Sequence, residues 1–415
     1  QIEQEVCLQT AGFEDFVLQF MDRCFSLIDN SQLEQITSQD REQEKMNREE
    51  TMLEMGLSST FSAILTQAHP QLYQAALRRL KTFINGKMIE IHVAGKFAAN
   101  MCRSAVKVNP EEALKAFVPS VCRLLLTLME NKDLQDAQHL DDEVLFNLLL
   151  LSELVRCPGT PLLAYIEQIQ DVLKATVKLK CREGYRLAGT VLRYLLKYLS
   201  SVVPQEYRSI NTTWDRPLQE FLPTQHWGSA GDIHNLGLKW VQPGAEEAEA
   251  LHSLVNTFLI PELRLLRKVS KGEASLTREE LHQSLSLVLD VVLGAGGILP
   301  HWEEEPIKVI DMLVKKDRQK FIVRSSPLVV KLDCGEEFPS NVRLAASEVV
   351  LELVDTLLAQ GSDDTKALCH AVNIYNGVMF FHGISKEDFD ARWKSFQFIK
   401  DALANKLHRN KQHIR

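Results

Sequence analysis

The chain has 415 residues, 45% hydrophobic and 25% charged, with 47 Lys and Arg against 55 Asp and Glu for a formal charge of −8. That composition is ordinary for globular protein, and the acidic balance excludes a general nucleic-acid binder with one large basic face. No run of 18 or more uncharged apolar residues occurs, which argues against a membrane span.

In chain order, residues 12–29 predict a first helix, and REQEKMNREE (Arg41–Glu50) reads as a solvated linker or helix face. Residues 53–67 and 72–83 predict the next pair. IHVAGKFAANMCRSAV follows, with Val93, Phe97, Met101 and Ala105 on one face. VKVNPEEALKAFVPSVCRLLLTLMEN carries the strongest helix signal. Asn109 suits the N-cap and Pro110 the first helical position, where a missing N–H costs nothing. Glu111 and Glu112 set negative charge against the positive end of the helix dipole. Leu114, Phe117, Val118, Val121, Leu124, Leu125 and Leu128 then recur at steps that line one face. DDEVLFNLLLLSELVR comes next, which Asp141 or Asp142 can cap. PGTPLLAYIEQIQDVLKATVKL and REGYRLAGTVLRYLLKYLSSV each predict one further helix. In the C-terminal half, helices are predicted over 246–269, 277–293, 341–358, 365–381 and 386–407. Sustained period-two alternation is absent, so the fold class is all-α.

Prolines at helix boundaries fall at Pro70, Pro110, Pro158 and Pro204, separated by 40, 48 and 46 residues. A period near 40–47 is that of HEAT and armadillo units. In such units neither helix can bury its apolar side alone, and stacked neighbours supply the core. The expected architecture is an α-solenoid of antiparallel helix pairs over 1–203 and 245–415, forming one continuous segment.

Two stretches break the helical rhythm. Residues 204–244 form a crossover insertion with Pro204, Pro217, Pro223 and Pro243 and three of the five tryptophans, Trp214, Trp227 and Trp240. A stretch this long without periodicity is either pinned by packing or functional; the tryptophans serve as pins or as a partner surface. The second, an irregular loop around 294–340, opens on VVLGAGGILP. That string lacks a preceding strand and a phosphate-loop pattern, so nucleotide binding is not expected. The loop also contains VKKDRQKFIVR, where Lys315, Lys316, Arg318, Lys320 and Arg324 crowd together. They read as a solvated face or, because such cations repel without a counter-charge, as an anion or polyphosphate site.

No catalytic or metal-binding motif appears, so no enzyme activity, catalytic residue, metal or required cofactor is expected. His226 and His234 bracket Trp227, with Asp232 between them; hydrogen-bonding histidines in a structured loop fit them better than metal ligands. Asn211–Thr213 is formally a glycosylation acceptor. The cysteines Cys7, Cys24, Cys102, Cys122, Cys157, Cys181, Cys334 and Cys369 include no C-x-x-C pair. They read as free buried thiols in a reducing compartment, cytosol or nucleus. The N-terminus QIEQEVCLQT does not begin with Met and is not a signal peptide. LHRNKQHIR stops without a cap, so both ends read as cuts through a longer chain.

The strings QIEQEVCLQTAGFEDFVLQFMDRCF, GLSSTFSAILTQ, QHWGSAGDIHNLGLKWVQP, GAGGILP, SDDTKAL, FDARWKSFQFIKDAL and KQHIR closely resemble the middle region of the proteasome activator complex subunit 4 family. These are the large HEAT-repeat activators related to the yeast bleomycin-sensitivity protein. The likeness spans the chain and is weakest over 304–341. It implies a dome-like solenoid that caps the proteasome core particle and promotes peptide and protein degradation without ATP or ubiquitin. It also implies a nuclear and cytoplasmic location, acetylated core histones as substrates, and roles in DNA repair and spermatogenesis. An inositol phosphate ligand is implied too, though its contacts do not map residue by residue here. The family's acetyl-lysine reader and its core-docking tail belong to later sequence than this chain holds. A generic HEAT-repeat binding scaffold that has lost proteasome engagement is the alternative. Neither reading involves sequence-specific nucleic-acid binding or a membrane.

Overall fold

A computed structural model of the chain describes residues 13–36, 48–68, 70–85, 89, 91, 93–157, 159–201, 203–204, 240–241, 243–295, 314–315, 318–319, 337–338, 342–362 and 364–379. The chain divides into two compact units, Gln1–Leu187 with Val203–Val241, and Ala188–Val202 with Gln242–Arg415. Helices in the first are α1 (Phe13–Ile36), α2 (Arg48–Gln67), α3 (Pro70–Ile84), α4 (Ala94–Val108) and α5 (Pro110–Met129). They continue with α6 (Lys132–Asp136), α7 (Asp142–Leu154), α8 (Gly159–Leu163) and α9 (Ile166–Thr176). Helix α10 (Arg182–Ser200) crosses the boundary between units. The second unit contains α11 (Ala245–Phe258), α12 (Ile260–Ser270), α13 (Arg278–Gly294), α14 (Val342–Ala359) and α15 (Thr365–Met379).

Within the first unit the helices stack in two rows. Helix α2 packs on α4 and α4 on α7; in the other row α3 packs on α5 and α5 on α9. Contacts of α5 with α4 and α7 join the rows, and α1 packs on α3 and α4. The apolar stripe of α5 therefore leans on both rows. Leu114, Phe117, Val118, Val121 and Leu125 are buried, whereas Leu124 and Leu128 are half-buried. Helix α4, expected to bury one face, is buried nearly all round because α1, α2, α5 and α7 each contact it. The second unit repeats the scheme, with α11, α13 and α15 in one row and α12 and α14 in the other. This is the solenoid-type packing of helix pairs that the repeat spacing anticipates.

Several local expectations need correction. The helix expected over 246–269 is two helices. Pro261 has no N–H to offer the carbonyl four residues back, and the chain bends at Leu259 between α11 and α12. The helix expected over 158–179 is also two, parted by a turn in which the Tyr165 N–H donates to the Leu162 carbonyl at 2.9 Å. Both pieces, α8 and α9, pack on α5, so tertiary contact overrides the continuous periodicity. Asp141 occupies the N-cap of α7, but its side chain accepts no capping hydrogen bond. Helix α6 is capped by Asn131 accepting from the Asp133 N–H at 3.1 Å, where the sequence shows only a polar connection. Pro204 lies in a strand residue pair past the end of α10 rather than at a helix boundary.

Two minimal antiparallel ladders interrupt the helices. One joins β1 (Val203–Pro204) to β2 (Trp240–Val241), which brings the two ends of the expected insertion side by side. The other joins β3 (Val314–Lys315) to β4 (Arg318–Gln319). The helix expected over 386–407 lies outside the described residues, as do most residues of the insertion and the irregular loop.

Candidate functional surface

The polar groups inside the helix rows show how each unit is held together. Across α2, α4 and α7 runs a seam of charged and amide side chains. Glu153, at the end of α7, is buried and lies 2.9 Å from Arg156 and 3.5 Å from Arg103 on α4. Burial pushes its carboxyl above the usual range, and the two guanidinium groups pull the other way without cancelling the shift. Next to it, Glu54 of α2 accepts from Asn100 Nδ2 of α4 at 2.5 Å and from Ser58 Oγ at 2.9 Å. The Asn100–Glu54 and Arg103–Glu153 links join neighbouring helices of one row, so the seam fixes how successive repeats register, while Ser58 and Arg156 brace the two carboxylates locally.

The second unit has an equivalent junction. Asp364 is buried at the start of α15, where its Oδ1 accepts the Ala367 N–H at 3.0 Å. His282 Nε2 lies 2.9 and 2.8 Å from its two oxygens, and Arg278 Nε is 3.2 Å from Oδ2. Burial alone would raise this carboxyl's pKa; the Ala367 N–H, His282 and Arg278 outweigh it and hold the pKa below the usual carboxylate value. Nearby, Ser284 Oγ donates to the buried Glu262 at 2.5 Å. Arg267 of α12 gathers four partners. Its guanidinium lies 4.3 Å from the Phe338 ring centre, donates to the Glu337 carbonyl at 2.5 Å, and reaches Glu348 and Glu352 of α14 at 3.2 and 3.3 Å. It ties the end of the irregular loop to α12 and α14.

Those pairings that cross between helices, buried at Glu153 and Asp364, exposed at Glu348 and half-buried at Glu352, hold one helix to the next. A nucleophilic thiol is disfavoured where burial raises its pKa: Cys24 is pushed up to about 11 and Cys122 to about 12, and Cys102 and Cys157 move the same way. Cys181 is buried as well, but Cys369 is exposed, which corrects the expectation of buried thiols for that residue. Cys7 and Cys334 lie outside the described residues. Among the described residues no group of three or more His, Cys, Asp or Glu could hold a metal ion, and no helix is long and apolar enough to cross a membrane.

Of the basic stretch, Lys315 and Arg318 are register partners across the β3–β4 ladder. Lys316, Lys320 and Arg324 lie outside the described residues. So do His226, Asp232, His234, Trp214 and Trp227, while Trp240 pairs with Pro204 at the base of the insertion. The His282–Asp364 and Arg103–Glu153 junctions were not foreseen. Their members are 82 and 50 residues apart, so only the stacking of repeats brings them together.

Comparison with known proteins places the whole arrangement. Residues 1–298 match the family described as proteasome activator complex subunit 4, mid HEAT repeats region. The chain is 41% identical over 416 aligned positions to proteasome activator complex subunit 4 of Bos taurus and 40% identical to that of Homo sapiens. Identity to subunit 4B of Danio rerio is 40%. Each alignment covers all of this chain and 22% of the relative, so the chain spans about a fifth of the length of the curated relatives it matches.

Proposed function

The chain belongs to the proteasome activator complex subunit 4 family, in its mid HEAT-repeat region, and from that premise we propose that it forms a section of the wall of a proteasome activator. The observation that carries this reading is the two-row stacking in each unit, with cores shared between neighbouring helices, in a chain matched end to end by named activators. A stacked array of this kind supplies curvature and enclosure, and its buried charged junctions set the register of one repeat on the next. In this role the segment is regulatory and structural, with turnover left to the proteasome.

The finer reading follows the family. The whole protein caps the proteasome core particle and promotes degradation of peptides and proteins, acetylated core histones among them, without ATP or ubiquitin. It acts in nucleus and cytoplasm, in DNA repair and in spermatogenesis. Histones are engaged through sequence beyond this chain. We assign an inositol phosphate to the basic stretch of Lys315, Lys316, Arg318, Lys320 and Arg324, where closely spaced cations call for a polyanion. Replacing all five with Gln is expected to abolish inositol hexakisphosphate binding, and undiminished binding would remove that assignment. The main test is fluorogenic peptide cleavage by purified core particle, without ATP, in the presence of the full-length protein containing this segment. Stimulated cleavage supports the activator reading. An unchanged rate would leave a HEAT-repeat binding scaffold.

A further inference from the structure

An open groove of about 390 Å³ lies between α3 and α5 in the first unit. Leu77 and Ala116 form its apolar lining, buried and half-buried respectively. Arg78 and Lys81 of α3 and Lys115 of α5 line it as cations, with Glu112 as the one acid. The groove falls within the size range of ligand sites.

Several other cations of this unit are paired. Arg79, next in sequence to Arg78, forks onto Asp22 at 2.6–2.8 Å, Lys174 meets Asp171 at 3.0 Å, and Lys180 meets Asp136 at 2.8 Å. Arg78, Lys81 and Lys115 make no ion pair among the described residues. Three cations are thus left facing one concavity on a chain with net charge −8. Their mutual repulsion is relieved by an anionic guest.

The lining also says what kind of anion. Glu112 in the lining repels a densely charged guest, and Leu77 and Ala116 offer apolar contact that an inorganic polyanion cannot use. Arg78 and Lys81 stand one turn apart on α3, about 5–6 Å between Cβ atoms. Acidic side chains two residues apart on one face of an extended peptide stand about 6.6–6.8 Å apart, a comparable repeat. We propose that the α3–α5 groove binds an acidic peptide segment, with Arg78, Lys81 and Lys115 holding its carboxylates and Leu77 and Ala116 seating an aliphatic side chain. This site stands independently of whether the protein engages the proteasome.

The test is fluorescence anisotropy with the full chain and a short fluorescein-labelled peptide alternating glutamate and leucine. The matching peptide alternating glutamine and leucine serves as the uncharged probe. The glutamate peptide is expected to bind, with affinity falling as salt rises. Arg78→Gln, Lys81→Gln and Lys115→Gln together are expected to weaken it by roughly tenfold, the scale for losing three solvent-screened ion pairs. Lys174→Gln, which removes a paired surface cation, is expected to leave binding unchanged. Helical circular dichroism checks that the surface changes leave the fold intact. The proposal is overturned if the wild-type chain fails to bind, if the triple variant binds as tightly, or if the glutamine peptide binds equally well. It is also overturned if tripolyphosphate displaces the probe at lower concentration than unlabelled glutamate peptide, since the groove would then be a phosphate site.

Discussion

Leu125→Ala tests the stacked core at its most connected point. Leu125 is fully buried on α5, the helix that packs against α3, α4, α7 and α9. Truncation removes a buried isobutyl group and leaves a cavity that cannot readily collapse, because its walls belong to several braced helices. The expected cost is about 2–5 kcal/mol. In a unit of this size that corresponds to a fall in Tm of roughly 4–20 °C. Leu128, on the same helix but half-buried, is the internal control and should cost less when changed to Ala. Leu125→Asp adds an unpaired buried carboxylate and is expected to unfold the repeat. Hydrogen exchange read helix by helix localises the effect, with α5 and the helices packed on it losing protection first. Equal stability of Leu125→Ala and Leu128→Ala, with unchanged exchange in α5, would refute the shared core.

Four further outcomes follow from named contacts. Glu153→Ala strips Arg103 and Arg156 of their shared carboxylate. Because Arg103 is partly solvated, the loss should fall toward the lower end of about 3–5 kcal/mol, measured by urea unfolding; a neutral effect would make the seam dispensable. Asp364 has a folded pKa below its unfolded value, so its stabilisation is present above the unfolded value and is lost as pH falls through the folded one. The stability gap between wild type and Asp364→Ala should therefore be full at neutral pH and close as the solution becomes strongly acidic; a gap independent of pH would contradict the ionised cap. Gly294→Ala would place a Cβ 2.6 Å from the Arg193 carbonyl oxygen and 2.9 Å from Leu196 Cβ, an overpacking worth about 1–3 kcal/mol. No loss on thermal melting would mean that α10 and α13 yield there. In native maleimide labelling followed by mass spectrometry, Cys369 should react before Cys102 and Cys157, and the reverse order would contradict their burial.

Much of the helical frame is legible because its signals are local. Asn109 accepts the Glu112 N–H at 3.3 Å, as an N-cap should, and Thr277 and Glu280 exchange hydrogen bonds as a capping box. Stacking is legible only as a period, since the sequence shows which faces are apolar but not which helix covers them. The breaks at Leu259 and at Ala164–Tyr165 show the limit from two sides. Pro261 could have revealed the first through its missing donor, whereas the second depends on two short helices both reaching α5. The buried junctions were illegible for a different reason. Glu153 and Asp364 are ordinary acidic residues until stacking brings Arg103 or His282 against them. A solenoid chain whose residues meet only across repeats hides its polar contacts from any short window of sequence.

The central claim, that this segment is wall in a proteasome activator, is tested most directly by capture of intact proteasome core particle. The bait is the full-length protein, compared with the same protein carrying Leu125→Asp to collapse a repeat of this segment. The wild-type protein is expected to retain core particle and the variant to lose it, because a collapsed repeat opens the wall. Failure of the wild-type protein to retain core particle, or undiminished capture by a variant shown to be locally unfolded, would contradict the claim.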